Sequence, residues 1–336
     1  MQRAWKNLTK SKEISILAII VVLAVCITIV NPNFLTVSNF FDIMRSNSIY
    51  GIMALGMLPV LISGGIDLSV SSTITLCAVV MGKFLQANPG SNMVAAILLC
   101  MAVGALAGLV NGLLVTEFHI PPIVATLGTQ TIVMAAVLFY TNGIWISGMP
   151  DWFLRFGDIQ FGAIPSGGKT VGMPVQILFL ALVGAATWLI LKYTLTGRGV
   201  YAIGGNVQSA TRVGYNVSRV TAFVYIYSGM LAGLAAVTDI LIVKQIDPNT
   251  FSGCELDVIA IAVLGGASVM GGTGTVFGTF LGIILMAVIK NGLVLVRVSS
   301  YWQKVVMGII ILVTISVDVI NRRIEKSRLV HVDVEE

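Results

Sequence analysis

The stretch VAAILLCMAVGALAGLVNGLLV, residues 94–115, runs for twenty-two residues without a charge. A helix rises 1.5 Å per residue, so crossing a hydrocarbon layer of about 30 Å takes about 20 residues. Such a run has no polar face to turn toward water, and a lipid bilayer is its natural solvent. Nine further runs read the same way, giving ten expected spans at approximately 14–30, 47–63, 69–86, 94–115, 122–141, 174–193, 220–243, 257–270, 275–296 and 301–320. The second, third and eighth are short or broken by glycine and proline, as in LPVLISGGIDLSV (58–70). Charged residues make up 10% of the chain and hydrophobic residues 57%, against roughly 25% charged in a soluble domain. The expected fold class is therefore an all-α polytopic membrane protein of about ten helices, some of them broken. The first run, ISILAIIVVLAVCITIV, ends in NPNF rather than at a small-residue cleavage site and is read as a span.

Orientation follows from lysine and arginine. The amino tail holds Arg3, Lys6, Lys10 and Lys12; the segment 192–219 holds Lys192, Arg198, Arg212 and Arg219; the carboxyl tail holds Arg322, Arg323, Lys326 and Arg328. With an even number of spans these segments share a side, and the positive-inside rule makes that side cytoplasmic. The expected division is a cytoplasmic tail (1–13), a membrane domain (14–320) with a cytoplasmic loop at about 194–219 and a long periplasmic loop at about 142–173, and a cytoplasmic tail (321–336). The net charge of +5 lies at membrane edges and gives no reason to expect a nucleic-acid partner. Cys26, Cys77, Cys100 and Cys254 have no metal-ligand spacing and read as buried free thiols. His119 and His331 read as a loop and a tail residue.

Two internal echoes stand out. GALAGLVNGLLV (104–115) and GTVFGTFLGIILMAVIKNGLVLV (274–296) each carry a glycine every fourth residue and an NGL triplet, at Asn111 and Asn291. Small residues at that spacing let helices approach closely in lipid. SGGIDLSV (63–70) is echoed by SGCELDVI (252–259), one residue out of register. The pairs fall on spans of opposite direction, which fits either an inverted repeat or the general similarity of glycine-rich helices.

Few motifs carry chemistry. GAIPSGGKT (162–170) nearly matches a phosphate loop, but its first glycine is one residue early and it lies in the periplasmic loop, so it is set aside. Asp67 follows two glycines and starts an apolar run, with Ser69, Ser71 and Ser72 beside it. A membrane-embedded carboxylate is costly and points to function, while Asp before a helix is also a common N-cap. Both readings stand. HIPPIVATLGTQT (119–131) offers Thr126, Thr129 and Gln130, which bond either a hydroxylated solute or neighbouring carbonyls, the second being favoured. Asp67, Ser69, Asn111, Thr126, Gln130 and Asn291 are the candidates for a substrate path. Asp239 and Asp318 are expected near wet helix ends, and Lys290 is expected to snorkel. No midmembrane acidic pair and no catalytic grouping is apparent.

TGRGVYAIGGNVQSATRVG (196–214) is polar and basic without an acid. Asn206 is a good N-cap for a two-turn helix over about 207–213, and Gly214 suits its end. Val207, Ala210 and Gly214 share one face, with Arg212 beside it. Gly204 and Gly205 are expected to let the chain turn. So short a helix needs something to pack on, which favours docking on another protein over a phosphate cradle. Arg198, Gly204, Gly205, Asn206, Arg212 and Gly214 are the candidates for that contact.

NPNFLTVSNFFDIM, ALGMLPVLISGGIDLSVSS, IPPIVATLGT, GRGVYAIGGN, ELDVIAIAVLGGASVMGGTGTVFGTFLG and NGL…SYWQKVVMG, in this order from about residue 31 to 320, resemble the permease subunits of bacterial ABC importers for monosaccharides, the ribose, galactose, xylose and autoinducer-2 permeases. The resemblance implies a lipid-embedded inner-membrane subunit that pairs with a second permease, a cytoplasmic ABC ATPase and a periplasmic sugar-binding protein. It also implies no cofactor in this chain, ATP and Mg being used by the ATPase, and YAIGGN as the segment that engages it. The sequence departs from the family at Ser71, where glycine is usual, and at Asp239 and Lys244 in TDILIVKQ. An ion-coupled secondary transporter is the alternative and demands a buried ionisable coupling site. A membrane-embedded enzyme demands a reactive cluster.

Overall fold

A computed structural model describes residues 12–166 and 169–329. Arg3, Lys6, Lys10, His331 and the glycine pair at 167 and 168 lie outside the described residues, as do the side chains of Lys12, Asp318 and the basic residues from 321 onward.

Most element boundaries are written in polar residues between apolar runs. Helix α1 (Lys12–Val30) is followed by a 3₁₀ turn, Pro32–Leu35, and α2 (Val37–Ile62). Asn31 caps the turn and Thr36 caps α2, each through its side-chain oxygen. After a break come α3 (Val70–Ala87), α4 (Met93–Thr116), capped by Asn92, and α5 (Pro122–Thr141), which opens on prolines and closes at Asn142 in the left-handed region. A short helix α6 (Asp151–Gly157) and a hairpin of β1 (Gln160–Ser166) and β2 (Lys169–Pro174) follow. Then come α7 (Val175–Tyr193), α8 (Leu195–Gly205), α9 (Val207–Arg212), α10 (Val217–Val243), α11 (Cys254–Leu264), α12 (Val276–Leu295) and α13 (Ser300–Leu329).

Seven of these, α1, α3, α4, α5, α7, α10 and α12, are long and apolar enough to cross a membrane. The chain is a multi-pass membrane protein. The other three expected spans take different forms. The second lengthens at its start to the 26 residues of α2, whose segment from Gly51 to Ile62 is wholly buried. The last lengthens to α13. The eighth, expected at 257–270, is the eleven-residue α11, which stops at Gly265. The chain beyond it, GGASVMGGTGT (265–275), is not helical, and Gly266, Gly271, Gly272 and Gly274 adopt positive φ, which a helix does not use. The long loop at 142–173 contains α6 and the hairpin, whose strands pair from Gln160↔Pro174 to Ser166↔Lys169. Gln86 Nε2 donates to the Ser147 carbonyl (2.6 Å) and Trp152 Nε1 to the Pro89 carbonyl (2.8 Å), tying this segment to the α3–α4 turn.

The glycine ladders do what their spacing promises. Gly104, Gly108 and Gly112 on α4 lie against the backbone of α10 at Gly229, Tyr225 and Ala222, and a methyl group at Gly104 would strike the Gly229 carbonyl oxygen. Gly278 and Gly282 on α12 lie in the same way against Gly265 and Ile261, the end of α11. Around these contacts α2 and α10 form the centre of the core. Of the cysteines, Cys77, Cys100 and Cys254 are buried, but Cys26 is exposed on α1, against the expectation that all four are buried.

Successive long elements run between two ends of the molecule. Glu13, Ile62, Gly204, Gly272 and Thr275 gather at one: Thr275 Oγ1 donates to Glu13 Oε1 (3.1 Å), and the Gly272 amide donates to the Ile62 carbonyl (2.8 Å). At the other, Asn31 Nδ2 reaches the Leu295 carbonyl (3.4 Å), and Ile146 and Ile246 exchange backbone bonds of 2.9 Å.

Candidate functional site

The break between α2 and α3 is made by Ser63, Gly64, Gly65 and Ile66, with Gly64 at φ +85° turning the chain. It delivers Asp67 into the core with 2% of its surface exposed. A buried carboxylate must find donors, and Asp67 has three. Its Oδ1 accepts from the Ser69 amide (3.0 Å) and the Ser69 hydroxyl (2.6 Å), and its Oδ2 from the Ser228 hydroxyl of α10 (2.9 Å). Ser69, not Asp67, stands at the N-cap position of α3, so the carboxylate is a tie between the break and α10 rather than a simple cap.

The tie extends. Asn111 Nδ2 on α4 donates to Ser69 Oγ (2.7 Å), and Thr129 Oγ1 on α5 donates to Asn111 Oδ1 (2.7 Å). Thr126 Oγ1 accepts from the Leu68 amide (3.1 Å) and donates to the Pro122 carbonyl (2.9 Å). Gln130 Nε2 donates to Ser71 Oγ (3.0 Å). Five of the six candidates for a substrate path, Asp67, Ser69, Asn111, Thr126 and Gln130, thus converge where α3, α4, α5 and α10 meet. Asn291 does not. It exchanges side-chain hydrogen bonds with Asn39 (3.0 and 3.2 Å), joining α12 to α2 elsewhere. The departure at Ser71 has a local explanation, since a glycine there would leave Gln130 without this acceptor.

Ser228 was not legible as a partner: it sits in the apolar run VYIYSGML, and the packing of α10 on α2, where Gly56 meets the Ser228 backbone, brings it to Asp67. Tyr225, one helical turn earlier, is fully buried against Gly65, and its hydroxyl has no hydrogen-bond partner among the described residues. Further along α3 and α5, past the Gln130–Ser71 bond, a cleft of about 410 Å³ opens between Leu76, Val79, Val80, Ala136 and Val137, with Lys83 and Tyr140 as its polar lining.

Three charged groups that the sequence places in or near spans, Lys290, Asp239 and Lys244, are paired or enclosed. Lys290 does not snorkel: its Nζ meets Asp257 Oδ2 at 2.7 Å and lies 4.1 Å from the centre of the Tyr50 ring. Asp239, expected near water, is only 6% exposed. Lys244 ends α10 at φ +63° and pairs with Asp158 of the hairpin segment at 2.8 Å, with Arg45 4.0 Å from the same carboxylate. Among the described residues no group of three or more His, Cys, Asp or Glu could hold a metal ion. GAIPSGGKT falls in the β1–β2 hairpin, whereas a phosphate loop joins a strand to a helix.

The second candidate region is the α8–α9 pair. Asn206 Oδ1 accepts from the Ser209 amide (2.8 Å), capping α9 as its sequence promised, and Gly214 ends the turn at φ +94°. Ala210 is buried, while Val207 and Val213 are 50% and 79% exposed and Arg198 and Arg212 are exposed. The six-residue helix therefore rests on the body by one side and offers the other. The glycines before it have other roles than expected. Both belong to α8, and Asn206 makes the turn in extended conformation. Nothing lies within 4 Å of a Cβ at Gly205, whereas one at Gly204 would collide with the Ile62 carbonyl oxygen. Tyr201, one turn earlier, donates its hydroxyl to the Gly274 carbonyl (2.8 Å), and burial pushes its phenol above its ordinary range.

Comparison with known proteins adds to this geometry. Residues 39–315 match the family model described as branched-chain amino acid transport system, permease component. The ribose import permease protein RbsC of Escherichia coli K12 is 36% identical over 319 residues, covering 94% of this chain and 95% of its own. The autoinducer 2 import system permease protein LsrC of Enterobacter sp. strain 638 is 37% identical over 314 residues, 93% of this chain and 88% of its own. RbsC of Bacillus subtilis 168 is 36% identical over 297 residues, 88% and 89% of the two chains. No solved structure shows a significant match.

Proposed function

The chain belongs to the permease-component family of the branched-chain amino acid transport system type, and from that premise we propose that it carries a monosaccharide or sugar-like solute inward as the membrane subunit of an ABC importer. It works beside a second permease copy or paralogue, a cytoplasmic ATPase that uses ATP and Mg, and an extracytoplasmic solute-binding protein. The relatives' names support the solute class, being import permeases for ribose and for autoinducer 2.

The membrane domain, about 14–320, makes ten crossings, with α11 and the glycine-rich segment after it together forming the eighth. Both termini and the 194–219 segment lie in the cytoplasm. The alternation of the long elements between the two ends supports this, as do the four basic residues and absent acids of 192–219. The solute path runs past the cleft between α3 and α5, with Gln130 and Ser71 as the first amide and hydroxyl it meets. Asp67, Ser69, Asn111 and Thr126 hold those helices in place from behind, and Asn291 steadies α12 on α2.

The observation that carries the reading is the exposed side of α9 beside Arg212, on a helix pair whose other side is fixed to the core. Such a surface needs a partner, and the ATPase is the partner this family needs. The test is retention of the ATPase by the purified permease, with a cysteine at position 209 labelled from each side of the membrane in a Cys26→Ser background. Arg212→Glu should weaken retention by roughly fivefold or more, and labelling should occur only from the cytoplasm. Labelling only from outside, or retention indifferent to Arg212→Glu, contradicts the reading.

A further inference from the structure

Three stretches of backbone meet without intervening side chains at the end of the molecule that holds α8. Gly204, the penultimate residue of α8, faces the carbonyl oxygen of Ile62, the last residue of α2, so closely that a methyl group there would collide with it. The same methyl would come within 2.6 Å of the Gly272 amide nitrogen, which itself donates to Ile62 (2.8 Å). A Cβ at Gly271 would lie 3.0 Å from Gly204 O and 3.0 Å from the Cα and nitrogen of Gly64. Tyr201 adds a fourth tie, from α8 to the Gly274 carbonyl. The junction thus joins α8, the end of α2 with its Gly64 turn, and the 265–275 segment between α11 and α12.

What lies beyond each branch gives the junction its meaning. Five residues past Ile62 is Asp67, bonded to α10 through Ser228 and to α4 and α5 through Ser69, Asn111 and Thr129. Past Gly272 is Thr275, whose hydroxyl caps α12 by accepting from the Gly278 amide (2.9 Å). Side chains absorb small displacements by changing rotamer, but closely packed backbone passes them on. We propose that Gly204 and Tyr201 are positioning residues for transport: they hold α8 against the end of α2 and the 265–275 segment, so that a push on α9 moves the Asp67 break and the start of α12 together. This rests on the reading of α9 as the ATPase-docking element. It adds that Tyr201 and Gly204, turned to the core at Gly274 and Ile62 rather than to the outer side of α9 as the docking expectation for Gly204 had it, convert the ATPase's movement into opening of the solute path.

The complete importer, reconstituted in proteoliposomes with its ATPase and binding protein, separates docking from conversion. Two quantities are measured: ATPase retention, and solute moved per ATP hydrolysed, with ribose as the probe. Gly204→Ala and Tyr201→Phe should retain the ATPase like the parent and keep hydrolysing ATP, while solute moved per ATP falls at least about fivefold, the low end of couplings between sites. Gly90→Ala, in an open turn at the other end, should change neither quantity. Tyr201→Phe removes one hydroxyl and no packing, so it decides the matter if Gly204→Ala does not reach the membrane. An unchanged ratio in the variants that assemble overturns the proposal. So does a loss of transport that merely tracks loss of the ATPase, because the junction is then only part of the docking surface. A parent complex that does not hold the ATPase overturns the docking reading itself, and this proposal with it.

Discussion

Asp67→Asn keeps the shape of the side chain but turns one of two acceptor oxygens into a donor. Whichever way the amide faces, either Ser228 or Ser69 then meets an N–H where it met an oxygen. A hydrogen bond to a charged acceptor contributes about 1.5 to 3 kcal/mol, and a neutral one about 1. Asp67→Asn should therefore lower thermal stability in detergent by more than Ser228→Ala, which removes a single donor, and should reduce uptake as the α2–α3 break loosens. Equal stability of the two variants and the parent in a melting experiment would mean that Asp67 does not bear on the fold. At Ser71, replacement by glycine should cost about 1 kcal/mol or more, through the lost Gln130 bond and the helical glycine, and on the proposed path it should alter solute preference, because it frees the Gln130 amide. Uptake measured with competing sugars checks this, and an unchanged ranking of sugars would count against it. The sequence marks Asp67 as a residue of consequence because a charge beside two glycines in an apolar run is conspicuous. It cannot mark Ser228, which is one hydroxyl in a helix whose facing is set by tertiary packing.

At the scale of elements, hydropathy is legible wherever a helix faces lipid, since lipid imposes length and apolarity together. It is less so for α2, which is sheathed by other helices and begins with the polar stretch VSNFFDIMRSNS. The shortened α11 is hidden for another reason. Its apolar run continues past Leu264, but glycines at positive φ end the helix, and composition alone does not reveal conformation. In α8, LTGRGVYAIGG is helical despite its glycines, each disfavoured by about 1 kcal/mol against alanine. Tertiary contact overrides propensity there: Gly197 lies against Ile190 and Leu191, Gly199 against Val220 and Tyr215, and Gly204 against Ile62. The α4–α10 ladder gives a sharp test of close approach. Gly104→Ala should destabilise the protein by about 1 to 3 kcal/mol through forced separation of the two helices. Gly308→Ala, in open space on α13, should be neutral or slightly stabilising. Detergent melting curves distinguish them, and a harmless Gly104→Ala would mean the two backbones are not in contact.

For the whole molecule the question is what drives the solute. Asp67 is enclosed and already satisfied by three donors, so it is not poised to load and release an ion from either side, and Asp239 faces no acidic partner in the described contacts. Permeases of this family work with a separate ATPase, and on the proposal above its energy arrives mechanically, at α9 and through the glycine junction. The most direct measurement is uptake of ribose and related sugars by cells or vesicles holding the assembled importer, with proton and sodium gradients collapsed while ATP is kept high. Uptake should continue at an undiminished rate and should stop when ATP is removed with the gradients intact. Uptake that stops with the gradients while ATP stays high would contradict the account and identify the chain as an ion-coupled carrier.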